Sequence, residues 1–112
     1  MRLRELLQEG ITKHIRSTIP ETMKREKYKN VSDINVGSCA DFAYDVAQKC
    51  FKDKLNVKMM SGPGHTWLKH NNKHYDAQSP NGVNHPSHLH FYRNPDNFRE
   101  KRKLVKRIAS GE

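Results

Sequence analysis

The stretch INVGSCADFAYDVAQKCF, residues 34–51, decides the fold. Within it Cys39, Phe42, Ala43, Val46, Ala47 and Cys50 recur at three- and four-residue intervals, so on a helix they form one apolar stripe. Gly37 and Ser38 ahead of the stripe supply a turn and an N-cap. Asp41 puts a carboxylate in the first turn, where the positive end of the helix dipole favours it. The stripe is small and aromatic, as expected of a helix packed centrally against a sheet.

Downstream the periodicity changes from helical to alternating. LNVKMMS, HTWLKH and KHYDA (residues 55–61, 65–70 and 73–77) read as strands of a small antiparallel sheet, punctuated by Gly62, Pro63, Gly64 and by Asn71 and Asn72. A two-residue turn at Asn71 and Asn72 places Leu68 opposite Tyr75, Trp67 opposite Asp76, Thr66 opposite Ala77 and His65 opposite Gln78. Because side chains alternate, His65, Trp67, Asp76 and Gln78 then share one face, with Asp76 the diagonal neighbour of His65. A three- or five-residue loop would move Asp76 to the other face.

Upstream, Leu3, Leu6, Leu7, Ile11 and Ile15 predict a helix over residues 2–18, which Ile19 and Pro20 are expected to end. Residues 21–30, ETMKREKYKN, read as a second short helix or a connection. Residues 78–95, dense in Asn, Pro and His, read as irregular. From Asp96, DNFREKRKLVKRIAS sets Phe98, Leu104, Val105 and Ile108 on one side of a basic helix. The expected fold is α+β: a central helix carrying the cysteine on a small antiparallel sheet, with N- and C-terminal helices, in one domain over residues 1–112.

A chain of 112 residues, 34% hydrophobic and 29% charged, has room for one modest core. No apolar run reaches the ~18 residues that span a bilayer, and MRLRELLQEG lacks the apolar block of a signal peptide, so no membrane partner and a cytoplasmic location are expected. On one helix Cys39 and Cys50 would stand about 16 Å apart, too far for a disulfide. They are expected as separate thiols. The net charge of +9 is concentrated at the ends: residues 1–30 carry +4 and residues 93–112 another +4. Such an excess suits an acidic partner or nucleic acid, although lysines and arginines solvating helix faces explain it equally.

The reactive residue types stand in a telling order. Cys39 begins a helix, where the dipole stabilises thiolate over thiol. His65 can act as base and then acid, and Asp76 can hold its imidazole in the useful tautomer. The Cys39 backbone N–H would face a developing oxyanion, and Asn35 could add a side-chain donor. Trp67 and Gln78 share the face of His65 and are candidates to line the site, though a sheet aromatic more commonly packs.

GSCADFA at a helix start, GHTWL opening a strand and HYDAQSP on the next resemble the Cys, His, Asp order of the papain-like superfamily, especially its transglutaminase-like and NlpC-type branches. The resemblance covers roughly residues 35–83. It implies a thiol hydrolase or acyltransferase acting on an amide or acyl bond of a protein or peptide-like substrate, with Cys39, His65 and Asp76 as triad and no cofactor. Only 26 residues separate Cys39 from His65, fewer than in many members, which implies a minimal sheet and a shallow cleft. The size and charge also suit a small phage-like accessory protein.

Plainer readings stand beside these. His85, His88 and His90, with His70 and His74, invite a zinc site but lack the cysteine or carboxylate company of most such sites, and no metal is expected. The basic run REKRKLVKR could grip phosphates, yet only Phe98 offers a stacking partner for bases. The alternative function is a basic interaction module on the same fold, binding nucleic acid or protein, with Cys39 in the core.

Overall fold

The computed structural model describes residues 3–94, with side chains from residue 10 onward. In chain order the elements are α1 (Leu3–Glu26), α2 (Val31–Gly37), α3 (Cys39–Lys52), β1 (Lys58–Gly62), β2 (His65–His70), β3 (Lys73–Asp76) and β4 (Ser79–Val83). A 3₁₀ turn (Pro86–His88) and α4 (His90–Arg93) follow. The fold is α+β, with one four-stranded antiparallel sheet in the order β1-β2-β3-β4. The segment 96–110, expected as a basic helix, lies outside the described residues.

Helix α3 is the centre of the molecule because its sequence offers one unbroken apolar stripe. Cys39, Phe42, Ala43, Val46, Ala47 and Cys50 are all buried. All of them except Cys39 join Ile11, Ile15, Ile34, Leu55, Val57, Leu68, Tyr75 and Ala77 in a core shared by α1, α2, α3 and the sheet. Burying a residue such as Phe42 or Val46 contributes about 1.5–3 kcal/mol against leaving it in water.

The β2–β3 register is the one the two-asparagine turn requires: Leu68 pairs with Tyr75, Lys69 with His74 and His70 with Lys73. Asn71 and Asn72 have φ of 50° and 65°. Both are left-handed, as in the primed turn whose twist matches that of paired strands, and asparagine tolerates that region well.

Several elements differ from expectation, the 3₁₀ turn and α4 among them, since both lie in the stretch read as irregular. α1 does not stop at Pro20, which sits inside the helix. A proline removes one backbone hydrogen bond, but Thr18 and Thr22 on either side are fully buried, and Ile19 and Met23 pack on the core, so burial carries the helix through. α2 was not anticipated; it begins where the Asp33 carboxylate accepts the Asn30 N–H at 3.2 Å, and it buries Ile34 and Asn35. Residues 79–83, part of the stretch read as irregular for its density of Asn, Pro and His, form strand β4. Proline is tolerated there because β4 is an edge strand. α1 covers that edge: the Thr12 hydroxyl donates to the Pro80 carbonyl at 2.7 Å, and Arg16 Nη2 donates to Asn81 Oδ1 at 3.2 Å. Among the described residues, no helix is long and apolar enough to cross a membrane.

Candidate active site

Cys39 is the first residue of α3, and its N-cap is Ser38 as expected, but the serine does not cap with its side chain. Its hydroxyl is instead hydrogen-bonded to the Tyr28 hydroxyl at 2.6 Å. The Ser38 hydroxyl is therefore not used to cap α3, and Cys39 stands at the positive end of the helix dipole.

His65 opens β2, and Asp76 closes β3. The Asp76 carboxylate is divided between two tasks. Oδ2 meets His65 Nε2 at 3.0 Å, while Oδ1 accepts the Gln78 backbone N–H at 3.0 Å and so fixes the tight turn into β4. Both partners of the first contact are almost fully buried, so water does not compete for it. With Nε2 held by Asp76, the buried Nδ1 is the ring nitrogen that has no well-formed hydrogen bond among the described residues.

Burial is the largest single influence on the His65 pKa and pulls it down, since it penalises the charged ring. Hydrogen bonding and charge from Asp76, and then from Cys39, act the other way and win, so the imidazole titrates above its ordinary value. The structure thus brings Cys39, His65 and Asp76 into one electrostatic unit. An imidazole whose charged form is supported in this way is a suitable proton acceptor for a neighbouring thiol.

The other expected site residues fall as follows. Asn35, on α2, is 1% exposed and donates through Nδ2 to Gln78 Oε1 at 2.8 Å, so one of its two amide N–H groups is committed within the protein. Gln78 in turn links that contact to Asp76 through its backbone N–H, giving a chain from α2 to the carboxylate and on to the imidazole. Trp67 is buried beside the histidine, ring centroids 5.9 Å apart, and its Nε1–H donates to His74 Nδ1 at 2.9 Å. It packs the site's floor.

Two aromatics not anticipated as site residues complete the enclosure. Phe91, fully buried on α4, stacks on the His65 ring at 4.3 Å with an interplanar angle of 14°. Tyr92 meets both His65 and Trp67 edge-on, each at 5.9 Å, and donates its hydroxyl to the Pro63 carbonyl at 2.9 Å. Burial, and then the charge of Cys39, raise the Tyr92 pKa. Gly62 allows this closure: a Cβ there would meet the Tyr92 hydroxyl at 2.8 Å and the Trp67 ring at 3.0 Å. The signal in the sequence was a bulky trio, Leu89, Phe91 and Tyr92, inside an otherwise polar segment.

The histidines read as a possible zinc cluster have separate attachments. His70 Nδ1–H donates to the Asn56 carbonyl, His74 accepts from Trp67, and His85 Nδ1 accepts the Ser87 N–H. Among the described residues, no group of three or more His, Cys, Asp or Glu is placed to hold a metal ion. Cys50 is a free thiol at 0% exposure, its pKa pushed up to about 11 by burial and by the charge of Asp53.

Comparison of the chain with known protein families, curated proteins and solved structures gives no match.

Proposed function

We propose that this protein is a thiol enzyme that attacks the carbonyl carbon of an amide or acyl bond through Cys39. The observation that supports the reading is the buried His65–Asp76 contact at 3.0 Å on an imidazole whose pKa Cys39 also raises. In the first step the Cys39 thiolate adds to the carbonyl carbon, and the oxyanion lies against the Cys39 backbone N–H at the start of α3. The protonated His65 then gives its proton to the leaving amine, the C–N bond breaks, and a thioester to Cys39 remains. In the second step neutral His65 takes a proton from water, hydroxide oxygen adds to the thioester carbon, and the C–S bond breaks to restore thiolate and release the acid. An amine in place of water gives acyl transfer. Asp76 holds the ring with Nε2 turned away from sulfur throughout.

On this reading the substrate is a protein or peptide-like amide, no metal or organic cofactor takes part, and two cysteines outside any disulfide suit a reducing cytoplasm. The resemblance to papain-like and transglutaminase-like enzymes supports the same assignment through GSCADFA, GHTWL and HYDAQSP.

A second reading has its own observation: Cys39 is only 7% exposed, a value ordinary for a core residue. The chain would then be a basic interaction module that binds an acidic protein or nucleic acid. Iodoacetamide labelling against pH separates the two. The enzyme reading expects Cys39 to be modified well below pH 8 and this reactivity to vanish in His65→Ala, with Cys50 untouched. A labelling curve that rises only near the pKa of an ordinary thiol, unchanged in His65→Ala, would sink it.

A further inference from the structure

At the end of the sheet remote from His65, the strands β1 and β2 and the Asn71–Asn72 turn enclose a hollow of about 310 Å³ lined by Asn56, Lys58, Lys69, His70, Asn71 and Asn72. Its lining contains two ammonium groups and three side-chain amides and no carboxylate or thiol. Lys58 and Lys69 are directly paired across β1 and β2, so their side chains leave the same face. Like charges in that position repel. Among the described residues neither lysine has an ion-pair partner. The same field is felt on the next strand: His74 is paired with Lys69, and after burial the Lys69 charge is the largest influence lowering the His74 pKa.

We propose that this hollow binds a phosphate group of a nucleic-acid chain, held by the Lys58 and Lys69 ammonium groups, with the Asn56, Asn71 and Asn72 amides donating to its remaining oxygens. A phosphate fits the donors better than a carboxylate does: it offers several acceptor oxygens in three dimensions, and the volume leaves room for an attached sugar. Binding would turn the unfavourable Lys58–Lys69 pair into a bridged one. The site stands apart from the thiol chemistry, since β2 carries His65 at one end and His70 at the other, about 16 Å along the strand. It holds whether or not Cys39 is a nucleophile.

The test uses the full chain labelled with ¹⁵N, titrated in turn with inorganic phosphate, a ten-nucleotide single-stranded oligonucleotide and a glutamate-rich peptide. The expected result is that the oligonucleotide shifts the side-chain amide signals of Asn56, Asn71 and Asn72. In the Lys58→Gln/Lys69→Gln variant these shifts disappear, and the slope of log affinity against log salt falls by about 2 × 0.7. Because both substitutions remove repulsion, the variant should keep the wild-type spectrum elsewhere and its melting temperature. Shifts with inorganic phosphate but none with the oligonucleotide would assign the hollow to a free phosphate compound and overturn the nucleic-acid source. Equal shifts with the glutamate-rich peptide would overturn phosphate selectivity, and oligonucleotide binding that leaves these amides and the double variant unaffected would overturn the site.

Discussion

Phe91 lies flat against His65, ring centroids 4.3 Å apart, although the two residues are separated by 26 positions in the chain. The contact does two things at once. It fills the space above the imidazole, and it presents a negative π face to a ring whose pKa is raised. Phe91→Ala is expected to destabilise the protein by about 3–5 kcal/mol, because a fully buried ring is removed. Phe91→Leu keeps the volume but not the π face, so it should fold and show a His65 pKa lower than wild type in an NMR titration. An unchanged His65 titration in the leucine variant would show that the stacking is packing alone.

Asp76 is the residue whose replacement should separate geometry from charge. In Asp76→Asn the side chain can still accept the Gln78 N–H, so the β3–β4 turn survives and the melting temperature should fall only slightly. The imidazole loses its carboxylate and the corresponding support for its charged form. Cys39 alkylation at pH 6 is expected to slow by about two orders of magnitude or more, the scale on which an orienting carboxylate matters in acyl-transfer triads. A rate within twofold of wild type would refute a role for Asp76 in activating the thiol.

The pH dependence has two parts with opposite signs. His65 titrates above its ordinary 6.5 in the folded protein, so its contribution to stability is fully present below that value and is lost as pH rises through the raised folded pKa. His74 titrates below 6.5, because burial and the Lys69 and His85 charges oppose its protonation, so it destabilises the fold as pH falls below 6.5. Trp67, the single tryptophan of the chain, touches both rings and donates to His74 Nδ1. Its fluorescence should change in two steps, one above pH 6.5 that disappears in His65→Ala and one below it that disappears in His74→Gln. A single step insensitive to His74→Gln would contradict the Trp67–His74 bond.

Gly82 is a test of how closely β4 lies on the core. Its φ is +85°, and a Cβ at this position would fall 2.7 Å from the fully buried Tyr75 ring. Gly82→Ala therefore meets backbone strain and a clash together, and a loss of about 1–3 kcal/mol is expected in chemical denaturation. A neutral result would mean that β4 moves away from Tyr75 without consequence.

The sequence made some of this legible and hid the rest for physical reasons. Period carried α3, because all six stripe residues are in one helix and need no distant partner to be recognised. Turn chemistry carried the β2–β3 register, because two adjacent asparagines in left-handed conformations admit one pairing. From that register the His65–Asp76 contact followed. β4 was hidden because Pro80 and Gly82 argue locally against a strand, and only the approach of α1 and Tyr75 explains them. Pro20 misled in the same way, since its local signal ends helices while burial on both sides continues this one. Phe91 and Tyr92 stood out only as bulky residues in a polar segment, because nothing near them in sequence marks a contact with His65. Ser38 was placed correctly at the helix start, yet Tyr28 has drawn its hydroxyl away.

The enclosure by Phe91 and Tyr92 also bears on when the His65 environment is completed during synthesis. The helix that begins with Cys39 leaves the ribosome long before Leu89, Phe91 and Tyr92 do, and a nascent chain lacking them has an imidazole open to water on the face they later cover. The ring contacts that enclose His65 are thus completed last, by residues downstream of Cys39, His65 and Asp76.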